Sequence, residues 1–154
     1  MSKVEDKLKL MGLFIPEAPA KGGIYTSVKS LGNDYYCFSG CGPLFAGEGP
    51  IGKVGKEFSI EEGQEASRRA ILNVLAVIKK NLGDLDRITS FKKMLVFVAC
   101  TPEFYDHPAI ANGATQLLVD LFGQEAGAPT RSAIGVCALP GNVPVEIEGI
   151  VEFK

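Results

Sequence analysis

The chain of 154 residues contains no tryptophan, one histidine and four cysteines. The thiols of Cys37, Cys41, Cys100 and Cys137 are scattered without a CxxC pair, and His107 is the only imidazole that could join them. Zinc sites use recognisable spacings of Cys and His, so this pattern predicts no metal site. We expect the cysteines to be reduced and packed as small apolar residues, with His107 in a polar loop before Pro108.

The chain also lacks an excess of charge of either sign. The 16 basic and 18 acidic residues are mixed along the chain and give a net charge of −2. A nucleic-acid backbone or an anionic membrane would call for a concentrated basic surface, so neither is predicted as a partner. The expected partner is a small molecule or another copy of the chain.

No apolar run is long enough to span a membrane. The N-terminal stretch MSKVEDKLKLMGLF alternates charges, with Val4, Leu8 and Met11 at helical spacing, which predicts a short helix over residues 2–12 and not a signal peptide. A cytoplasmic location is expected. With 46% hydrophobic residues, residues 1–154 can form a single domain with its own core.

The first half of the chain predicts a hairpin, a loop and a helix. Strand-like runs over residues 24–32 and 34–40 are separated by the turn signal Gly32-Asn33-Asp34. Residues 41–55 hold five glycines and two prolines, which indicates a long loop. Ser59 and Glu62 then form a capping box at the start of an amphipathic helix. The apolar stripe of that helix consists of Ile71, Val74, Leu75, Ile78 and Leu82.

The second half predicts three strands and another helix, over 110–122. In the strand over 88–100, the segment MLVFVA is apolar on both faces, so both faces should be covered there. The order of elements indicates an α+β fold in which two long helices cover one face of a single sheet. Since two helices cannot cover both faces, the second face is expected to pack against copies of the same chain.

The last strand, VEIEGIVEF over 145–153, carries three carboxylates on one face. Glu146, Glu148 and Glu152 alternate with apolar residues. Two interpretations stay open at this point: a plain solvated face, or a face on which one glutamate works in a pocket.

The preceding strand, TRSAIGVCALP, places Arg131 on the same face as the small residues Ala133 and Gly135. A guanidinium fork suits a carboxylate bidentately. Arg131 could pair with a C-terminal glutamate, could be an exposed edge residue, or could bind a carboxylate ligand that rests on the small-residue floor.

Together these two strands, APTRSAIGVCALPGNVPVEIEGIVEF, resemble the C-terminal signature of the Rid (YjgF-like) family of imine deaminases, some of whose members carry an endoribonuclease label. Arg131 and Glu146 have the family spacing of fifteen. Further matches are Tyr25, the Ser39-Gly40 pair and Asn112, and the resemblance extends over about residues 19–153.

The resemblance implies a chorismate-mutase-like α+β subunit in a homotrimer with three clefts between subunits. It implies hydrolysis of 2-iminopropanoate and 2-iminobutanoate to 2-oxo acids and ammonia, without metal or organic cofactor. Arg131 would hold the substrate carboxylate and Glu146 would activate water, while the cleft would be lined by Tyr25, Ser39, Gly40, Asn112 and Ala133. The strand arrangement of that fold makes it hard for one chain to supply both catalytic groups, so we expect Arg131 and Glu146 to come from different subunits.

Three departures concern the walls of the cleft: Ala133 where the family often has cysteine, the long loop 41–55, and Thr115 where an aromatic residue is favoured. They leave a non-catalytic trimeric module that binds small carboxylates as the alternative function. A ribonuclease has little support, because the chain lacks a basic stripe, a histidine pair and an aromatic platform.

Overall fold

The computed structural model describes residues 2–154, which form one five-stranded sheet. The strands are β1 (Val28–Gly32), β2 (Tyr35–Cys41), β3 (Ile88–Ala99), β4 (Thr130–Val136) and β5 (Val145–Phe153). Their spatial order is β1-β2-β5-β3-β4. Only the β3–β4 pair is parallel among these neighbours. The predicted α+β fold with a single mixed sheet is therefore confirmed.

Within residues 2–154, four α-helices accompany the sheet: α1 (Lys3–Leu10), α2 (Ile60–Leu82), α3 (His107–Phe122) and α4 (Gln124–Gly127). The capping box that opens α2 is present, since Glu62 N donates to Ser59 Oγ at 3.2 Å and Ser59 N donates to the Glu62 carboxylate at 2.8 Å. The predicted stripe of α2 is buried through Ile71, Val74, Leu75 and Ile78. This local chemistry fixes where α2 begins and which side packs inward.

The core lies on one face of the sheet, here called the helix face. Met94, Val96 and Val98 of β3 and Ile147 and Val151 of β5 are buried there among apolar residues of α2 and α3. The opposite face, here called the open face, carries Leu95, Phe97 and Ile150 in half-buried positions and Ile134 exposed. Both long helices pack on the helix face, so the chain's own helices leave the second face of MLVFVA open, and its burial against copies of the chain stays a prediction.

Three boundaries differ from the prediction. Strand β1 begins at Val28, so residues 24–27 lie outside it in bends and irregular backbone. Ser39 of β2 holds this segment, because its Oγ donates to Thr26 O and its backbone N donates to Ser27 O. The long loop extends to the start of α2, and its backbone carbonyls accept hydrogen bonds from Arg69 and Asn73 of that helix. Helix α3 begins at His107, so this histidine is helical and does not lie in a loop.

No helix within residues 2–154 combines the length and the apolar character needed to cross a bilayer.

Candidate functional site

Arg131 and Glu146 lie on the two strands that flank β3. Arg131 pairs with Met94 and Glu146 pairs with Phe97, which sets them three residues apart along β3. Two strand spacings and this stagger separate their Cα atoms by about 14 Å. Because side chains alternate along a strand, an odd stagger also places them on opposite faces, with Arg131 on the helix face and Glu146 on the open face.

The Arg131 guanidinium turns toward α3. Its Nη1 donates to Asn112 Oδ1 at 2.8 Å and to Thr115 Oγ1 at 3.1 Å, and its Nη2 donates to the Pro108 carbonyl at 3.4 Å. These contacts use three of the five N–H donors of the guanidinium. The Nε–H and one Nη2–H are left, and two donors side by side are what a bidentate carboxylate requires.

A polar cavity of about 370 Å³ adjoins this guanidinium between α3, α4 and the start of β4. No carboxylate within residues 2–154 approaches Arg131 to 4.0 Å, so the predicted alternative of an ion pair with a C-terminal glutamate does not occur in the subunit. Partial burial lowers the pKa of Arg131 from its usual value, and no acidic neighbour compensates. Arg131 is therefore a partly desolvated cation that lacks an anion.

The open floor of small residues that was predicted beside Arg131, at Ala133 and Gly135, is only partly present. Ala133 packs against the core. The space above Gly135 is occupied, because a Cβ at that position would collide with His107 Nε2 and lie 3.0 Å from Cys100 Sγ. A ligand at Arg131 must therefore approach from the side of Asn112 and Thr115. The start of α3 at His107 is the reason that the floor is closed over Gly135.

Glu146 lies over Gly40 on the open face. A Cβ added at Gly40 would collide with the Glu146 carboxylate, so the absence of a side chain there gives this carboxylate its position. Strand β2 is irregular at this point: the register shifts between Phe38 and Cys41. Partial burial, and next the charge of Glu148, raise the pKa of Glu146 above its usual value.

The remaining glutamates of β5 have other surroundings. Glu148 is exposed and lines a cleft on the open face. Glu152 forms ion pairs with Lys92 at 3.0 Å and with Lys154 at 3.2 Å. Hydrogen bonds from Lys92, Thr89 and Lys154 lower the pKa of Glu152 to about 2. Glu146 thus combines partial burial with a raised pKa, whereas the pKa of Glu152 is lowered.

Tyr25 and Ser39 line the open-face cleft, which has a volume of about 520 Å³. Ser39 Oγ donates to the Thr26 carbonyl at 2.7 Å, and the Tyr25 hydroxyl accepts from Gly22 N at 3.1 Å. Together with Gly40, both residues also line a smaller adjoining cavity of about 140 Å³. The candidate residues thus form two groups: Tyr25, Ser39, Gly40 and Glu146 by the open face, and Asn112, Arg131 and Ala133 by the helix face.

Two features of the site were not predicted. Thr115, noted in the sequence only as a departure, accepts a hydrogen bond from Arg131. Cys100 and His107 are in contact, with Sγ and Nε2 3.4 Å apart, whereas His107 was predicted to lie in a polar loop. Cys137 is exposed, so the expectation that all thiols are packed is wrong for this residue.

Residues 2–154 contain no cluster of three His, Cys, Asp or Glu side chains placed to hold a metal ion.

Comparison with known proteins identifies the class. The family model described as "YjgF/chorismate mutase-like, putative endoribonuclease" matches residues 5–147. The chain belongs to this YjgF/chorismate mutase-like family, which confirms the resemblance derived from the two C-terminal strands.

Individual relatives cover nearly the whole chain. Protein TCP17 of Trypanosoma cruzi is 33% identical over 152 residues, covering 99% of this chain and 95% of its own length. The crystal structure of protein Atu1372 of unknown function, from Agrobacterium tumefaciens, is 32% identical with a TM-score of 0.90 and covers 99% of this chain and 93% of its own. A 2-iminobutanoate/2-iminopropanoate deaminase of Dermatophagoides farinae is 27% identical over 141 residues, covering 90% of this chain and 93% of its own length.

Proposed function

We propose that the protein hydrolyses reactive 2-imino acids, of the 2-iminopropanoate and 2-iminobutanoate type, to 2-oxo acids and ammonia. The observation that carries the proposal is the pair of unusual charges: a partly desolvated Arg131 with no anion, and a half-buried Glu146 of raised pKa. A small acid with an electrophilic carbon next to its carboxylate calls for these two groups. The deaminase from Dermatophagoides farinae supports the choice of reaction.

The first step is binding of the substrate carboxylate. The free Nε–H and Nη2–H of Arg131 form a bidentate contact, while Asn112 and Thr115 hold the other side of the guanidinium. Fixing the carboxylate orients the neighbouring imine carbon and removes much of the entropic cost of bringing water to it.

The second step is addition of water. Glu146 accepts a proton from the water as its oxygen bonds to the iminium carbon, and the protonated Glu146 then returns that proton to the departing nitrogen. A carboxyl group of raised pKa suits both roles, because it accepts a proton more readily than an ordinary surface glutamate. As the C–N bond breaks, Glu146 takes the proton of the new hydroxyl, so that ammonia leaves and the C=O bond of the 2-oxo acid forms; this last proton then passes to the ammonia.

The active assembly in this proposal is a homotrimer in which Arg131 of one subunit and Glu146 of another face the same cleft. Two findings support it. The two residues lie on opposite faces of the sheet within one chain. The open face also leaves Leu95, Phe97, Ile134 and Ile150 without a covering layer from the chain's own helices, and apolar surface of this kind favours association.

The direct test generates 2-aminoacrylate from serine with a dehydratase and follows loss of its imine with and without the protein. We expect acceleration by the natural chain and none by Arg131→Ala. Lys92→Ala serves as a matched control, because it also removes a partly exposed cation from the sheet but leaves Arg131 intact. No acceleration by the natural chain would reject the proposed reaction.

A mixing experiment tests the shared site. Arg131→Ala and Glu146→Ala are each inactive in this proposal, and they are dissociated, mixed and reassociated. Random assembly restores about one site in four, because an intact site needs its arginine and its glutamate from different variants. If mixed trimers are confirmed by native mass spectrometry and no activity returns, the two residues do not share a site across subunits.

The alternative is a trimeric module that binds a small carboxylic acid without turnover. It is favoured by one observation, that a single chain provides the Arg131 site complete with its polar cavity but without a catalytic carboxylate nearby. Calorimetry with a 2-oxo acid distinguishes the two. Binding that depends on Arg131, in a protein that does not accelerate imine loss, would support the module.

A further inference from the structure

A second cavity, of about 440 Å³, lies at the C-terminal ends of β3 and β4, on the other side of Gly135 from Arg131. Its lining includes two thiols, an imidazole and an amine, from Cys100, Cys137, His107 and Lys53, with aromatic walls from Phe104 and Tyr105. The proposed deaminase uses none of these groups. The question is what two thiols and an imidazole can do together in one cavity.

Cys100 and His107 are in direct contact, with Sγ and Nε2 3.4 Å apart. The contact depends on Gly135, over which both side chains lie. The His107 ring is further supported by Phe104, edge to face at a centroid distance of 5.5 Å. The imidazole is therefore held with one nitrogen toward the sulfur, which is the position a base needs to take the thiol proton.

The second thiol lies beside the first because of the strand register. The parallel pairing of β3 with β4 ends at Ala99 and Val136. The residues that follow these two are Cys100 and Cys137. Cys100 N also donates to Val136 O at 3.2 Å, which keeps the ends of the two strands together. Neighbouring strands are about 4.8 Å apart, and Cα atoms of a disulfide are typically about 4.4 to 6.8 Å apart. Both cysteines are free thiols.

Cys100 and Cys137 differ in their exposure to solvent. Cys100 is buried at the cavity wall, whereas Cys137 is exposed. Burial raises the pKa of the Cys100 thiol, opposed in part by the charge of Lys53. Without a base the sulfur would stay protonated and unreactive, so the contact with His107 is what makes reaction feasible.

We propose that Cys100 and Cys137 form a redox-active dithiol, with His107 as the base for Cys100, which a hydroperoxide small enough to enter the cavity oxidises to a disulfide. His107 Nε2 takes the Cys100 proton, and the sulfur attacks one peroxide oxygen. The O–O bond breaks, the alkoxide leaves as the alcohol by taking up the proton that His107 had removed, and Cys100 becomes a sulfenic acid. The Cys137 sulfur then attacks that sulfur, so that the S–S bond forms and water leaves. The two thiols are oxidised and the peroxide is reduced.

The test treats the full-length protein with tert-butyl hydroperoxide at neutral pH and follows the cross-linked peptides by mass spectrometry after digestion. We expect a product 2 Da lighter that contains Cys100 joined to Cys137 and is reversed by dithiothreitol. Cys137→Ser should stop at a sulfenic acid on Cys100, trapped by dimedone. Cys37→Ser, which changes a thiol outside the cavity, should form the disulfide at the natural rate.

A further variant isolates the base. His107→Gln keeps a polar side chain at the start of α3 and should slow disulfide formation about tenfold or more, since general bases typically contribute at least that much. Circular dichroism of this variant should match the natural chain. If the Cys100–Cys137 disulfide does not form, or if a folded His107→Gln forms it at the natural rate, the proposed dithiol site is wrong. Neither outcome depends on whether imines are hydrolysed.

Discussion

The two ends of β5 carry carboxylates on the same face of the same strand, yet their environments are opposite. Glu146 is half-buried over Gly40 with Glu148 as a neighbouring charge, and its pKa is raised. Glu152 lies between Lys92 and Lys154, and its pKa is lowered to about 2. Position on an amphipathic strand therefore does not assign a role to a carboxylate; the groups that face it do.

Activity gives the largest expected difference between the two ends. In the proposed deaminase, Glu146→Gln removes the base that activates water and should lower kcat by about 100-fold or more. Glu152→Gln changes only ion pairs at the far end of the strand and should leave kcat unchanged. Imine loss measured for both variants checks this, and equal effects would remove the distinction between the two carboxylates.

Gly40 provides the next largest effect. In Gly40→Ala the new methyl group occupies the position of the Glu146 carboxylate, so the carboxylate must move, and we expect kcat to fall by about tenfold or more since catalytic geometry is sensitive to small displacements. Gly22→Ala is the matched control, because a Cβ there meets no atom within 4 Å. Should Gly40→Ala retain full activity with its fold intact, the position of Glu146 over Gly40 would not matter for catalysis.

The pH profile should show a smaller effect. Activity requires ionised Glu146, so it should fall as the pH drops through the raised pKa of this group. Glu148→Gln removes the neighbouring negative charge and should move that acidic limb to lower pH. Glu152→Gln, six positions away from Glu146, should not move it. The measurement is kcat/KM against pH for the three proteins.

The smallest expected effect is on the free energy of unfolding, and it has opposite signs for Glu146 and Glu152. The folded state binds a proton at Glu146 more tightly than the unfolded state does, because the pKa of this group is raised by folding. Ionised Glu146 therefore lowers the free energy of unfolding at pH values above the raised pKa. This cost disappears at pH values below the pKa of the unfolded state. Glu152 has the opposite sign: its stabilisation is present above the unfolded pKa and is lost as the pH falls toward about 2.

At neutral pH, Glu146→Gln should therefore raise the Tm and Glu152→Gln should lower it. Thermal unfolding at pH 7 and at pH 3 measures both effects, which should shrink at the lower pH. A lower Tm for Glu146→Gln at pH 7 would show that the carboxylate is better accommodated in the fold than its raised pKa indicates.

Local chemistry was enough to predict much of the fold. Ser59 and Glu62 cap α2 because their side chains satisfy backbone groups within one turn, and the buried stripe of α2 follows from its 3.6-residue period. The alternation in β5 correctly placed Glu146 on the face away from the core. The Arg131 to Glu146 spacing led to the family, which the comparison confirmed.

Strand β4 shows where such patterns mislead. Its apolar residue Ile134 is exposed on the open face, while the charged residue Arg131 lies on the helix face against α3. A strand's pattern states which residues share a face but not which face the helices cover. At the edge of this sheet, the apolar side of β4 is left for another partner, which fits the proposed trimer.

Local sequence was sufficient to predict the main elements of this protein, their order along the chain and the candidate groups Arg131 and Glu146, because capping, periodicity and motif spacing are properties of neighbouring residues. The three-dimensional structure was needed to show that these two groups lie on opposite faces, that Gly40 makes room for Glu146, and that His107 contacts Cys100 over Gly135. Each of these depends on the register between strands or on where α3 crosses the sheet. Such long-range pairing is selected by packing of the whole core, which no local stretch of sequence contains.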